Sequence, residues 1–206
     1  MQPIRIWFEK RGRAKYISHL DLMRAFTRAV RRAALPLWYT EGFNPHPYLA
    51  FPLPLPLGQE GLREAMDLRL VEPMPLDEVR ARLNAVLPEG LRVLSVTEPW
   101  AKPGEIKAAA YRVVLNRGAE QAGALLREGK LTAKKMGKQG RRKVEKEIEL
   151  APLIVRYELS GNELRCVLAA GSEVNLNPAL LIEALGAGST DITRVKLLRG
   201  DGTAWE

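Results

Sequence analysis

A helical apolar stripe between two strand patterns is the feature that most constrains how this chain folds. Between residues 19 and 34, apolar side chains recur every three or four positions: Leu22, Phe26, Ala29, Val30 and Ala33. This spacing predicts the buried face of a helix. Ser18 is a typical N-cap residue, and Asp21 in the third position beyond it resembles the second half of a capping box. Residues 4–10 alternate loosely and are rich in β-formers, which predicts a strand before the helix.

The same two periodicities continue along the chain and predict its architecture. Further strand patterns at 37–40, 66–70 and 91–98, with a second helix after Pro75, give the order strand, helix, strand, strand, helix, strand. That order is typical of a ferredoxin-like unit. It recurs after the linker 99–104, where the basic segment 130–146 is expected to form a loop flanked by strand ends. We therefore expect an α+β protein of two tandem ferredoxin-like domains, 1–98 and 105–206, with antiparallel sheets and helices on one face.

The positive charge is concentrated in two segments. The net charge is +8, yet residues 1–32 and residues 130–146 each carry a net charge of +7, so the rest of the chain sums to −6. Clustered cations release counterions when they meet phosphates, so this distribution favours a nucleic-acid partner. A solvated basic surface that maintains solubility is the alternative. No nucleotide-triphosphate or dinucleotide motif is present.

Cysteine content and hydropathy restrict the cellular setting. No apolar run approaches the roughly 20 residues needed to span a bilayer, and the N-terminal residues lack the layout of a signal peptide. We expect a cytoplasmic protein without a membrane partner. Cys166 is the single cysteine, which excludes an internal disulfide and a cysteine-rich metal or iron–sulfur site within this chain. It lies in an apolar strand pattern, so it is expected to be buried and inert.

The side chains expected to contact RNA phosphates are basic residues around the first helix and in the 130–146 segment. The first group is Arg13, Lys15, Arg24, Arg28 and Arg31, and the second is Lys134, Lys135, Lys138, Arg141, Arg142 and Lys143. Aromatic residues lie among the first group: Tyr16, Trp38, Tyr39, Phe43 and Tyr48. Rings beside cations are typical of binding to unpaired bases. For Trp38 and Phe43, burial in the core is the preferred alternative.

Both histidines lie in the first half and predict a central pocket. His19 begins the first helix, where the positive end of the helix dipole favours neutral imidazole. His46 lies between two prolines in a stiff polar loop. The expected pocket residues are Ser18, His19, Asp21, Asn44 and His46. They lack the short ligand spacing of a known metal site, so no metal is expected.

A neutral His19 beside Tyr16 allows a catalytic interpretation. The imidazole could deprotonate a ribose 2′-hydroxyl, which would suit metal-independent RNA cleavage with His19 and Tyr16 as the catalytic residues. The alternative is a structural or binding role, for example a hydrogen bond from His19 to a backbone carbonyl that fixes the helix start. The structural or binding role is the preferred interpretation.

Three motifs resemble the uncharacterised radical-SAM-linked protein family. They are YISHLDLMRAF at 16–26, EGFNPHP at 41–47 and LPLPLG at 53–58. In that family the domain is fused to a radical SAM protein or encoded beside one, so the resemblance implies an accessory module. This chain lacks the three-cysteine cluster motif, so the iron–sulfur cluster and S-adenosylmethionine are expected on the partner only. A looser resemblance is to repeat-associated RNA-processing endonucleases, which use tandem ferredoxin-like domains.

Together these features favour an RNA-binding accessory module that works with a radical SAM enzyme in tRNA or ribosomal RNA modification. No catalysis of its own is expected, and the expected partners are RNA and a radical SAM protein. Two alternatives remain open. One is a metal-independent endoribonuclease of the repeat-RNA-processing type that uses His19, and the other is a protein-docking domain without RNA binding.

Overall fold

Strands from both halves of the chain join in one sheet in this computed structural model, which describes residues 1–139 and 142–206, with side chains outside 135–146. The first half contains β1 Gln2–Lys10, α1 His19–Arg32, β2 Leu49–Ala50, β3 Glu60–Leu70, α2 Leu76–Asn84 and β4 Leu91–Thr97. The second half contains β5 Ala108–Arg117, α3 Ala119–Glu128, β6 Thr132–Gln139, β7 Arg142–Glu149, β8 Ile154–Ser160, β9 Glu163–Ala169, α4 Pro178–Ala184 and β10 Gly188–Leu198. Short 3₁₀ helices occur at Gly12–Tyr16, Pro103–Glu105 and Ala151–Leu153.

The sheet is mostly antiparallel and follows the strand order β4-β1-β3-β10-β5-β9-β8, with β2 paired to β3. β3 and β10 are the exception, because they run parallel and pair Glu60 with Thr193 and Gly61 with Arg194. This pairing connects the strands of the first half to those of the second. The described chain is therefore a mixed α+β fold with four helices. None of these helices is both long enough and apolar enough to cross a bilayer.

The N-cap prediction for α1 is confirmed. The Asp21 amide donates to Ser18 Oγ at 3.1 Å, and Ser18 Oγ donates in turn to the Asp21 carboxylate at 2.7 Å. All five apolar residues of the predicted stripe are buried. A burial pattern with helical spacing and a side-chain cap are both local properties, so the sequence places this helix to within two residues at its C-terminal end.

Strands occupy more of the basic segment than the strand ends expected from sequence. β6 and β7 pair antiparallel, with Thr132 opposite Glu149 at one end and Gln139 opposite Arg142 at the other. They form a two-stranded sheet inserted between α3 and β8. Leu131 and Leu150 anchor its base, because both are buried and the Leu150 amide donates to the Leu131 carbonyl at 2.8 Å. The high lysine and glutamate content hides this pairing from a reading based on apolar alternation.

Two other expected segments also take a different form. The strand expected at 37–40 is reduced to isolated bridges, Leu37 with Leu70 and Tyr39 with Pro47. The linker 99–104 is packed against the protein rather than free. Ala101 is buried, and the Trp205 indole N–H donates to the Lys102 carbonyl at 2.9 Å.

The core has two main apolar clusters, and one of them includes residues from both halves. Side chains of β1, β3, α1 and α2 form the first cluster, among them Ile6, Phe8 and Phe26. The second cluster contains side chains of β5, β9, α3 and α4 together with Trp7 and Ala65 from the first half. The halves therefore share buried surface as well as hydrogen bonds.

A buried ion pair lies where β3 meets β10. Glu64 and Arg194 are 3% and 1% exposed, and Arg194 Nε donates to the Glu64 carboxylate at 2.9 Å. The Arg194 guanidinium also donates to the carboxylate through Nη2 and to the Leu53 carbonyl at 2.6 Å. A buried charge is tolerated only when it is paired and hydrogen-bonded, so each partner makes the burial of the other possible.

We expect Glu64→Ala to destabilise the protein strongly, because it leaves the Arg194 charge buried without a counter-charge. The expected loss in the free energy of unfolding is about 3–5 kcal/mol, measured by urea denaturation at neutral pH. The double substitution Glu64→Gln/Arg194→Met should cost less than the two single substitutions summed. A Glu64→Ala protein within about 1 kcal/mol of wild type, the range of a surface pair, would contradict this role.

Candidate nucleic-acid interface

α1 presents a basic face opposite its buried stripe. Arg24, Arg28 and Arg31 are all exposed on this helix. Arg24 Nη1 lies 3.1 Å from the Asp21 carboxylate, and the Arg31 guanidinium lies 6.0 Å from the centre of the Tyr39 ring. The Arg28 side chain has no ion pair or hydrogen bond within the described residues. The predicted basic stripe therefore faces solvent with little internal neutralisation.

The segment before α1 carries the other predicted cations of the first half. Arg13 is exposed in the 3₁₀ helix Gly12–Tyr16. Lys15 has a different environment, because its Nζ lies 2.7 Å from Asp191 Oδ1 on β10, and this hydrogen bond raises the pKa of Lys15. Tyr16 is 68% exposed. Arg13 and Tyr16 are thus available to a ligand, whereas Lys15 ties the segment to the second half.

His19 is half-buried at the first position of α1. Its ring meets Phe51 edge-on with the centres 5.1 Å apart, and its Nδ1 is buried without a hydrogen-bond partner in the described part of the chain. Burial, followed by the positive charge of Lys10, lowers the pKa of His19 below its usual value of 6.5. Neutral imidazole is favoured, as the sequence predicted, although burial rather than the helix dipole is the leading cause.

Lys10 is a member of this site that sequence reasoning missed. It is 1% exposed, and its Nζ lies 3.3 Å from the Ile17 carbonyl and 3.5 Å from the Lys15 carbonyl. Burial lowers the pKa of Lys10, Glu64 opposes this change and Arg194 adds to it. A signal was present in β1, because alternation places Lys10 on the same face as the buried Ile6 and Phe8.

The remaining pocket residues form two separate local groups. Ser18 and Asp21 bind each other, and this hydrogen bond, together with the one from Arg24, lowers the pKa of Asp21. His46 Nδ1 lies 3.1 Å from both Thr40 Oγ1 and the Asn44 carbonyl. No hydrogen bond or ring contact within the described residues connects His46 or Asn44 to His19. A pocket shared by both histidines remains a prediction.

The loop that carries His46 is more exposed than the sequence suggested. Residues 41–46 are all exposed, and the Phe43 side chain is fully exposed. The expectation that Phe43 lies in the core is therefore wrong, because no strand forms there to bury alternate residues. Trp38 is half-buried, with its ring 5.9 Å from that of Tyr48 and the Arg69 guanidinium 5.5 Å away.

The cations of the 130–146 segment can be placed only in part. Lys134 is exposed on β6. The side chains of Lys135, Lys138, Arg142 and Lys143, and all of Arg141, lie outside the described residues. Whether this segment meets the α1 face around one RNA remains a prediction.

The chain's own metal-ligating side chains are dispersed. Within the described residues, no three His, Cys, Asp or Glu side chains come together as a metal site. Cys166 is buried, as predicted, and burial raises the pKa of its thiol to about 12. A thiol of this kind is protonated at neutral pH, so Cys166 is unsuited to ligating a metal.

Comparison with known families gives one decisive match. The family described as "Uncharacterized protein conserved in bacteria (DUF2344)" matches residues 3–178. The chain belongs to this family. No curated protein matches this DUF2344 member. Among solved structures, a chain of the "Crystal Structure of a Cbf5-Nop10-Gar1 Complex" is similar at 8% identity and a TM-score of 0.46, covering 94% of this chain. The DUF2344 chain spans 48% of that chain's length.

The pKa of His19 can be tested directly by titrating the imidazole signals in ¹H–¹⁵N NMR spectra. We expect His19 of this DUF2344 protein to titrate below 6.5, and Lys10→Met to raise that pKa by removing a nearby positive charge. A His46→Gln variant assigns the two sets of signals. A His19 pKa at or above 6.5 would contradict the burial and charge described above.

The lowered pKa of His19 should also make the stability of the protein depend on pH. The unfolded chain binds the His19 proton at higher pH than the folded chain does, so the unfolded state holds more protons between the two pKa values. The stability that comes from keeping His19 neutral in the folded state is fully present above about pH 6.5. It is lost as the pH falls through the lower pKa that His19 has in the folded protein. His19→Gln should therefore reduce the decline in stability between about pH 7 and pH 5.

Proposed function

We propose that this DUF2344 chain is an RNA-binding accessory module that works with a radical SAM enzyme in tRNA or ribosomal RNA modification, with no catalysis of its own. The observation that carries this proposal is the exposed basic face of α1. Arg24, Arg28 and Arg31 lie on that face, and Arg13 is exposed in the segment leading to it.

The spacing of these arginines favours an external anion. Arg24 and Arg28 are four residues apart and Arg28 and Arg31 are three apart, so like charges are neighbours on the helix surface. Such pairs destabilise a helix by a few tenths of a kcal/mol. Asp21 offsets part of this repulsion, through its ion pair with Arg24 and a smaller attraction to Arg28. A phosphate chain would neutralise the remaining charge, and the planar guanidinium is well suited to bind phosphate oxygens.

Tyr16 adds an aromatic ring in the segment before α1, with Lys15 Nζ 5.3 Å from the ring centre. Its 68% exposure leaves a face on which an unpaired base can stack, next to phosphates held by arginines. His19 is favoured in its neutral form and therefore adds a polar group rather than a charge. The site is thus suited to hold RNA without reading an extended sequence.

The inferred architecture consists of two ferredoxin-like halves, 1–98 and 105–206. The support is the strand order, which is β4-β1-β3 with β2 on β3 in the first half and β10-β5-β9-β8 in the second. In the first half β1 lies between β4 and β3, and in the second half β5 lies between β10 and β9, so the first strand of each half neighbours the last strand of that half. The second half differs by the inserted pair β6 and β7.

The radical SAM partner is inferred from the three sequence motifs, and the iron–sulfur cluster and S-adenosylmethionine would belong to that partner. The DUF2344 chain offers one cysteine, Cys166, which is buried and has a pKa raised to about 12. Phe43 is the side chain best placed to contact a partner protein, because it is fully exposed on a loop containing two prolines.

Two alternatives each have one observation in their favour. A metal-independent endoribonuclease is favoured by the neutral His19, whose Nδ1 has no hydrogen-bond partner among the described residues, with the exposed Tyr16 three residues before it. A protein-docking domain without RNA binding is favoured by the exposed Phe43. Salt-insensitive capture of the partner with no RNA retained would indicate the docking domain.

Neutralising the α1 face should weaken binding to structured RNA such as tRNA. For Arg28→Gln/Arg31→Gln we expect lower affinity and a log–log salt slope reduced by about two, because about one unit is lost for each phosphate contact. The matched control is Arg80→Gln/Arg92→Gln, which removes two exposed arginines from α2 and β4. Equal effects in the two variants would contradict a specific role for α1.

Cleavage can be tested separately. We expect labelled total RNA incubated with the protein in EDTA to remain intact, because the proposed module binds RNA without cutting it. Products that appear with the wild type and disappear with His19→Ala would overturn the proposal in favour of the endoribonuclease. Salt-dependent binding without products would support the accessory module.

A further inference from the structure

The second half has an open sheet face that the sequence did not reveal. On β5 the buried Ala109, Tyr111 and Val113 belong to the core cluster that includes α3 and α4. The alternate residues, Ala110 and Arg112, point to the opposite face because successive side chains of a strand alternate. β9 repeats the pattern and brings further polar and apolar side chains to the same open face.

The strand register arranges this open face in two rows. Arg112 of β5 lies directly opposite Arg165 of β9, and Arg165 lies opposite Glu158 of β8. The neighbouring row pairs Ala110 with Val167, and Val167 with Arg156. A charged row of side chains therefore lies next to a partly apolar row.

A groove of about 750 Å³ opens on this face. Four arginines line it: Arg11, Arg112, Arg156 and Arg165. Glu158 is the one acidic residue of its lining, and small or branched apolar residues, including Leu62, Ala110 and Val195, form part of its floor. Its size falls within the range of ligand-binding sites in proteins.

The charges in this groove are incompletely balanced. Like charges directly opposite each other destabilise a pair of strands, and Arg112 and Arg165 stand in that relation. Three carboxylates partly compensate: that of Glu163 lies 2.7 Å from Arg165 Nε, Glu158 also attracts Arg165, and that of Glu9 lies 3.9 Å from Arg11 Nη1. The side chains of Arg112 and Arg156 make no ion pair or hydrogen bond within the described residues, although the charge of Arg112 also acts on Asp191. An anionic ligand would supply the missing counter-charge.

We infer that this groove binds an unpaired segment of RNA, which rests on the proposed RNA-binding function. Guanidinium groups bind phosphates bidentately and can also stack on bases. The apolar side chains of the neighbouring row accommodate ribose and base surfaces. Tyr157 is not the stacking residue, because its hydroxyl donates to the Leu126 carbonyl of α3 at 3.1 Å. The arginine planes would take that role.

Arg11 connects the groove to the α1 face. It lines the groove and immediately precedes the 3₁₀ helix Gly12–Tyr16, which carries the exposed Arg13 and leads to α1. A structured RNA held on α1 can therefore pass its single-stranded end along this short segment into the groove.

The test measures binding of an unstructured oligouridine and of a tRNA to one pair of variants. In Arg112→Gln/Arg165→Gln we expect the affinity for oligouridine to fall about tenfold at physiological salt, and its salt slope to decrease by about 1.4 for two lost contacts. Affinity for the tRNA should fall less. The matched control, Arg80→Gln/Arg92→Gln, removes two exposed arginines from α2 and β4 and should leave both affinities near wild type.

Equal oligouridine affinity in the groove variant and the control would overturn the groove while leaving the α1 proposal standing. Wild-type protein that binds tRNA but not oligouridine would do the same. Binding of neither RNA by the wild type would overturn both proposals. If an acidic peptide, and not oligouridine, binds and is lost in Arg112→Gln/Arg165→Gln, the ligand is a protein and the RNA inference is wrong.

Thermal unfolding followed by circular dichroism checks that each variant is folded, and Arg112→Lys/Arg165→Lys should retain more affinity than the Gln variant.

Discussion

The ion pair between Arg194 and Glu64 is the interaction on which the arrangement of the two halves depends. Two register pairs join β3 to β10, so the backbone contribution to this junction is short. The ion pair adds a buried contact between the same strands, and the Leu53 carbonyl accepts a further hydrogen bond from Arg194. If the junction moved, Arg11 of the first half would no longer lie beside the open sheet face of the second. The groove is therefore a consequence of how the halves join.

Lys10 lies between this junction and His19 in electrostatic terms, since it responds to the ion pair and acts on His19. Lys10 and Arg194 are two buried cations, and Glu64 is the buried carboxylate among them. Burial is the main cause that lowers the pKa of Lys10 and of His19, and the positive charge of Arg194 near Lys10, and of Lys10 near His19, adds to it. Lys10 therefore relates the neutral imidazole to the interior pair, as a smaller contribution than burial.

The sequence was informative where structure is decided locally and uninformative where strands from distant segments meet. The cap at Ser18 and the buried stripe of α1 follow from spacing within a few residues. The parallel pairing of β3 with β10 joins segments more than 100 residues apart and has no local signature. The opposition of Arg112 and Arg165 depends on that kind of register, so two scattered arginines became a cluster only in the fold.

The central claim is that this chain holds RNA on surfaces made by both halves. The most direct measurement is ultraviolet cross-linking in cells that carry the native protein, followed by sequencing of the bound RNA and mapping of the cross-linked peptides. The account predicts defined RNA species attached to peptides from 11–32 and from the β5 and β9 strands. Recovery of no more RNA than from a non-binding control protein, or cross-links confined to other parts of the surface, would contradict it.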